Sequence, residues 1–237
     1  MIKMQLNSEI IAVDLLTDHL KSSMYKLMVE FYDQTNYVVF LHDLKDKDYC
    51  ILLYTPDNEL RGFTTVKQVR FTLDDTDIFG VFSGDTIIHS DNWGSLELFK
   101  SFAKLVFELG SYHQDFYWFL ISKGYRTYRM LPVFFKEFYP NYQHTTPAYE
   151  QSIINGFGMY KYPEEFDLLS GVVCYKGIKD KLKLGVADIT DKQLRDKNIA
   201  YFVDKNPGYI QGNDLVCLAR LHPDSLREPA RRLLLGG

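Results

Sequence analysis

The sharpest change in hydrophobic pattern along this chain lies between Ile78 and Leu109. Residues 78–88 read as a strand carrying Val81, Phe82, Thr86, Ile87 and Ile88. A polar loop follows, His89-Ser90-Asp91-Asn92-Trp93-Gly94. Positions 96, 98, 99, 102, 103, 105, 106, 107 and 109 are then apolar, a broad stripe that predicts an amphipathic helix over 95–109. A strand that enters a helix through a short loop presents unpaired backbone N–H groups at the positive end of the helix dipole. Such a turn suits an anion, for example a phosphate or pyrophosphate.

The remaining pattern fills in around this unit. Residues 8–34 predict one broken or two consecutive helices, with Ile11, Leu15, Met24, Leu27, Met28 and Phe31 as the apolar face. The run 37–41, YVVFL, reads as a short strand, and 43–48 as a charged turn. YCILLY at 49–54 reads as a strand buried on both faces. Turn residues at 55–59 join it to a longer strand at 62–73, predicting an antiparallel hairpin. The acidic run 74–77 is the next turn. DFYWFLI at 115–121 is a further strand, and 125–138 a helix begun or kinked near Pro132. Beyond 140 the texture changes to short mixed elements, with a strand at 171–175 and a basic, solvated hairpin or loop at KGIKDKLKLG. Residues 199–203 and 214–221 predict a last hairpin with a longer connection, and the tail is a short basic helix interrupted by Pro229.

Composition narrows the function classes. A net charge of -4 and the absence of a recognition motif exclude general attraction to nucleic acid. The first residues hold no long apolar run, and no stretch reaches the length of a membrane span, so a cytoplasmic protein is expected. Cys50, Cys174 and Cys217 are scattered without a CxxC and predict buried, reduced thiols; no Cys or His pair has zinc-ligand spacing, so no metal is expected. The 15% aromatic share points either to a thick core or to an apolar ligand channel.

The element order resembles the GNAT (general N-acetyltransferase) superfamily, and GDTIIHSDNWGSLEL carries most of that resemblance, as the central strand running into the pyrophosphate loop and its helix. The resemblance covers roughly 8–140 and 199–221, with 141–198 as an insertion before the last hairpin of a single domain over 1–237. It implies an α/β (α+β) fold with a mixed, largely antiparallel sheet flanked by helices. Two neighbouring strands, 78–88 and 115–121, would part to admit a pantetheine arm. The implied activity is acyl transfer from acyl-CoA or an acyl-phosphopantetheine carrier protein to an amine of a small molecule or peptide, without a covalent enzyme intermediate. A catalytically silent module that binds an acyl thioester or a partner protein is the alternative.

The resemblance also implies site residues. His89 would be the base, and Tyr128 or Tyr139 the acid that protonates the leaving thiolate. Ile87, Ile88, Trp93, Gly94, Ser95 and Ser122 would contact the donor; Asp85, Asp91 and Glu30 would face or orient the acceptor. Arg126 and Arg129 could meet phosphates or an acidic carrier. Of the family's loop only Gly94 matches. Trp93 stands where a basic or amide residue belongs, and Leu96 and Leu98 replace small residues, so a weaker grip on the coenzyme A pyrophosphate is expected.

Overall fold

A computed structural model describes residues 6–186 and 188–236. The chain starts with β1 (Asn7–Ala12), a 3-10 turn at Val13–Leu15 and α1 (Asp18–Phe31), whose first turn is capped by the Thr17 side chain. The helix predicted over 8–12 is therefore a strand. Its burial alternates, and pairing with an apolar partner strand decides its conformation. A two-residue strand β2 (Tyr32–Asp33) leads to α2 (Tyr37–Lys45). This corrects the strand expected at 37–41. Asn36 caps Val38 and Val39, and only Phe40 and Leu44, one helical turn apart, are buried.

The expected hairpin follows as β3 (Tyr49–Tyr54) and β4 (Leu60–Leu73). A tight turn at Asp74 and Asp75, both with positive φ, joins β4 to β5 (Thr76–Ile88). Then come α3 (Glu97–Gly110) and β6 (Tyr117–Ser122). The helix expected at 125–138 is two short pieces, α4 (Tyr125–Tyr128) and α5 (Met130–Phe134). After Phe134 the chain extends, and Phe135 and Tyr139 bridge to Leu226 and Leu218, so Tyr139 is not helical.

The segment 141–198 supplies α6 (Ala148–Lys161) and the two-residue strands β7 (Phe166–Asp167), β8 (Val172–Val173) and β9 (Lys181–Leu182). Its basic run is not simply solvated, because β9 pairs with β2. The strand expected at 199–203 is the helix α7 (Lys197–Lys205), capped by Asp196 with Ile199 and Phe202 inward. The predicted last hairpin is thus helix and strand: β10 (Asp214–Arg220) pairs with β6 and β8 instead. The tail forms α8 (Glu228–Leu235), with Pro229 in its first turn, where the missing N–H costs nothing.

Among the described residues eight strands form one mixed sheet in the order β1-β3-β4-β5-β6-β10-β8-β7, in which only the β5–β6 pair is parallel. Alternation along β6 divides the core between the two faces. Trp118 and Leu120 pack with Leu98, Phe102 and Val106 of α3; Phe119 packs with Phe71, Phe82 and Phe157 of α6. Helices α1 and α2 cover Leu52, Phe63 and Ile87. Cys50 and Cys217 are buried as expected, whereas Cys174 is exposed. Among the described residues no helix is long and apolar enough to cross a membrane.

Candidate active site at the parting of two strands

β5 and β6 stay together only briefly. Their partners run from Gly80↔Tyr117 to Ser83↔Leu120, after which β5 continues to Ile88 beside β4 and β6 to Ser122 beside β10. Close contact at the paired end needs a glycine: a Cβ on Gly80 would lie 2.3 Å from the Tyr117 carbonyl oxygen. The last paired residues are pinned by the buried Trp118 indole, which donates to Ser83 Oγ at 2.8 Å. Immediately beyond them β4 and β5 lose register. Val66 faces Ser83 and Thr64 faces Thr86, so Gly84 and Asp85 together oppose Thr65. Such a bulge bends its strand and re-aims a side chain. Here it coincides with the point at which the sheet opens.

The fold is GNAT-like. A mixed sheet with helices on its faces, whose two parallel central strands part, is the arrangement expected from the sequence.

Comparison with known proteins finds low similarity only. No protein-family model matches the sequence, and a search of curated proteins finds no match. Among solved structures, a probable N-acyltransferase from Enterococcus faecalis V583 matches 56% of this chain and 33% of its own, at 11% identity and a TM-score of 0.42. A GNAT family N-acetyltransferase from Escherichia coli in complex with CoA matches 50% and 64%, at 11% identity and 0.37. Saccharomyces cerevisiae N-myristoyltransferase with bound myristoyl-CoA matches 54% and 35%, at 12% identity and 0.37. The match thus spans about a third of the first and last of these proteins.

Asp85, re-aimed by the bulge, lines a cavity of about 390 Å³ walled by Tyr32, Phe82, Tyr162 and Tyr175. The cavity is rich in charge. Lys123, one residue past β6, donates to Asp180 Oδ2 at 2.6 Å and to its carbonyl at 2.9 Å. Lys179 reaches the other Asp180 oxygen at 3.0 Å. The Tyr175 hydroxyl donates to Asp214 at 2.8 Å. Lys47 donates to the Asp43 carbonyl at 2.7 Å, and Lys161 to Asp46. The Asp85 carboxylate has no hydrogen bond or ion pair among the described residues.

Burial raises the pKa of Asp85, and Asp180 adds to the shift while Lys123, Lys47 and Lys179 oppose it. Burial likewise raises Asp214 against the pull of Lys123 and the Tyr175 hydrogen bond. For Asp180 burial acts in the same direction, but Lys123 and Lys179 outweigh it and hold the carboxyl below its ordinary value. Burial opposes the charge on Lys123 too, yet Asp214 and Asp180 keep its pKa above normal. Lys47 lies below normal, from burial and then the Lys161 charge.

These shifts fix a sign for stability against pH. The folded chain retains protons on Asp85 and Asp214 after the unfolded chain has released them near the ordinary value of about 3.9. Their contribution to stability is present below that value and is lost as pH rises through the raised folded values. Asp180 behaves oppositely: its contribution is present above the ordinary value and is lost as pH falls through the lowered one. Urea unfolding at stepped pH should therefore show Asp214→Asn losing less stability than wild type as pH rises above about 4. An unchanged slope in that window would contradict the assignment.

The other expected site residues fall into separate places. His89 lies at the end of β5, with Nε2 at 3.8 Å from Glu30 and Nδ1 at 3.5 Å from Asp91, and its ring meets the Phe31 edge. Three of the expected residues thus meet there. Trp93 packs against Phe31, and its indole donates to the Ile88 carbonyl at 2.8 Å. Arg126, exposed on α4, stacks over that indole at 4.0 Å, bringing a cation to the loop that lacks one in sequence; Arg129 instead pairs with Asp196. Ile87 is core, Gly94 has φ 86, and Ser95 bonds back to Asn92. Ser122 is buried, its hydroxyl beside the Cys217 thiol.

The two tyrosines lie elsewhere. Tyr128 is fully buried, its hydroxyl donating to the Pro140 carbonyl at 2.9 Å, and burial raises its pKa. Tyr139 lines a different cavity with Tyr117 and Arg220. The structure therefore brings neither to Asp85 or His89. Lys47, Lys123, Tyr175, Asp180 and Asp214 went unrecognised in the sequence. Asp214 and Lys123 did leave a signal, each being a single charge at the end of an apolar strand.

Proposed function

We propose that this chain transfers an acyl group from a pantetheine thioester to an amine. The observation that carries the reading is the coincidence of three features at one point: the strands part, the ladder bulges, and an unpaired carboxylate faces a cavity. Ile88 stands opposite Gly62, and the next residue, His89, donates its N–H to Arg61. By the alternation of an antiparallel ladder, the backbone groups of Ile88 and of Thr86 turn the other way, into the gap. A pantetheine arm laid there would pair with them as a short extra strand. The thioester would then reach the bulge, where a backbone amide supports the oxyanion of the tetrahedral intermediate.

The acceptor enters as an ammonium beside Asp85, which takes one proton. The free amine attacks the thioester carbonyl, the carbon–sulfur bond breaks as the amide forms, and the second amine proton ends on the departing thiol. A carboxylate whose pKa is raised towards neutrality is a better base than an ordinary one. We assign this role to Asp85 rather than His89. The strands part at Asp85, whereas His89 lies four residues on, about 13 Å at the usual strand rise, engaged with Glu30 and Asp91.

The loop bears on the donor's carrier. Helix α3 starts at Glu97, with no side-chain cap from Leu96. The Glu97 carboxylate, bonded by Ser8 at 2.9 Å, already occupies the first turn. A pyrophosphate placed there meets a like charge, which supports a donor gripped mainly by its pantetheine arm, as on a carrier protein. Glu97→Gln should tighten coenzyme A by roughly 2–5-fold in calorimetry, the size of a helix-end charge effect. The reading as a whole is tested by single-turnover acyl transfer from acyl-CoA and from acyl carrier protein to a panel of amines. Donor binding without transfer to any amine would favour a catalytically silent binding module.

A further inference from the structure

We infer that residues 176–186 form a movable strap over the Asp85 cavity, and that the acceptor passes beneath it while the donor does not. The part given to acceptor and donor rests on the acyl-transfer reading. The movement rests on how the strap is held.

The strap contributes nothing to the core. Val173, just before it, is fully buried, but no residue from Lys176 to Val186 is. Two of its apolar side chains lie in solvent, Ile178 at 86% exposed and Leu184 at 92%. A segment with few buried apolar contacts opens locally, at much lower cost than the sheet beneath it. Yet this one crosses the site. Lys179 and Asp180 line the cavity around Asp85, and with Ile178 they line a second cavity of about 490 Å³ that shares Asp85 with the first. The other walls of that second cavity include Met28 and the start of α2, with Asn36, Val39 and Phe40. The donor, laid between β5 and β6, would pair with strand backbone and not with the strap.

The ties that hold the strap are polar. The Lys123 ammonium donates to a carboxylate oxygen of Asp180 at 2.6 Å and to its carbonyl at 2.9 Å, with both side chains 13% exposed. Lys179 adds a longer pair with Asp43 at 4.0 Å. Further along, the short β2–β9 ladder is continued by Lys183, whose N–H donates to the Phe31 carbonyl at 2.9 Å and whose ammonium donates to that of Val29 at 2.6 Å. Water re-solvates both partners of an ion pair when it parts, which offsets much of the attraction lost, so the Lys123–Asp180 pair suits a latch. Near the two ends stand Gly177 and Gly185, with φ 107 and 86. A Cβ at either would meet nothing within 4 Å. Backbone conformation and not space calls for glycine there, and such residues absorb the rotation of a hinged segment.

Hydrogen exchange read by mass spectrometry on the full chain tests the latch. Lys123→Met should speed exchange over 176–186 by at least about tenfold, with peptides from β4 and α6 unchanged. Equal exchange, or a rise throughout the sheet, overturns the inference. A reversible lock tests the movement without touching Lys123. Asp33 and Lys181 are Cα partners in the β2–β9 ladder, a spacing a disulfide can bridge. Asp33→Cys with Lys181→Cys, together with Cys174→Ser to remove the exposed native thiol, should pin the strap when oxidised. Asp214, a cavity carboxylate only 2% exposed, reports on access. Its labelling by carbodiimide and glycine ethyl ester should slow at least about fivefold on oxidation and recover with dithiothreitol. Single-turnover acylation of hexylamine should slow in step, while acyl-CoA binds as before. Labelling indifferent to the redox state overturns the strap, and donor binding lost on oxidation overturns the separate routes. If no amine is ever acylated, the transferase reading falls, and exchange and labelling still decide the strap.

Discussion

Asp85→Asn should slow single-turnover acyl transfer by about 10²–10⁴-fold, the range for loss of a general base, while donor binding changes little. Asparagine keeps the shape of the side chain and can still face the cavity, but it cannot accept the amine's proton or balance its charge. The wild-type rate should rise with pH through a value above the ordinary carboxylate range, because burial holds the Asp85 carboxyl up and only the ionised form is a base. That limb should be absent from the variant. His89→Ala, by contrast, should cost less than about tenfold, as its imidazole is engaged with Glu30 and Asp91 at the far end of β5. A large loss in His89→Ala with full activity in Asp85→Asn would exchange their roles.

Phe157→Ala should lower the unfolding free energy by about 3–5 kcal/mol. The ring is fully buried, stacked on Phe119 at 4.4 Å and an interplanar angle of 14°, and packed on Phe82 at 5.6 Å. With Ile153 and Ile154 it fastens α6 to the sheet. The helix lies too close for neighbouring side chains to shift and fill the hole: a Cβ on Gly158 would sit 2.5 Å from the Phe166 ring, and one on Gly156 2.6 Å from Phe71. The effect should reach the site as well, since Lys161 and Tyr162, at the end of α6, line the cavity around Asp85. Urea unfolding monitored by circular dichroism gives the number. A loss below about 1 kcal/mol would mean that the core closes over the missing ring.

Legibility in the sequence followed how local each decision was. The strands expected at 49–54, 62–73 and 78–88 were readable to within two residues because apolar runs and turn residues alternate within a few positions. YVVFL at 37–41 and IAYFV at 199–203 were not. Five apolar residues carry no period, and the caps that made them helices, Asn36 and Asp196, lie just outside the runs. Residues 8–12 became a strand because β3 offered an edge, which a window around them does not contain.

The site divides in the same way. Asp85, His89, Asp91 and Trp93 stood out because they surround one strand-to-helix turn. Lys123, Tyr175, Asp180 and Asp214 come from three distant stretches, and the topology alone makes them neighbours. The aromatic excess was readable as a fact but not as a place. Part of it fills the core around Phe119, and part walls the cavity through Tyr32, Tyr162 and Tyr175.

The Trp93 indole bonded to the Ile88 carbonyl has a bearing on solubility as well as on the donor. Where β5 and β6 part, the middle of the sheet acquires an open edge, and open edges recruit strands from other molecules. A protein that opens its sheet to admit a pantetheine arm also opens it to any extended peptide. By seating its own side chain on that carbonyl, with Phe31 and Arg126 packed against the ring, the chain covers one backbone acceptor on the exposed edge. A pantetheine amide that displaces the indole trades one hydrogen bond for another at little cost. A stray strand gains as little there, and must also dislodge the packed ring.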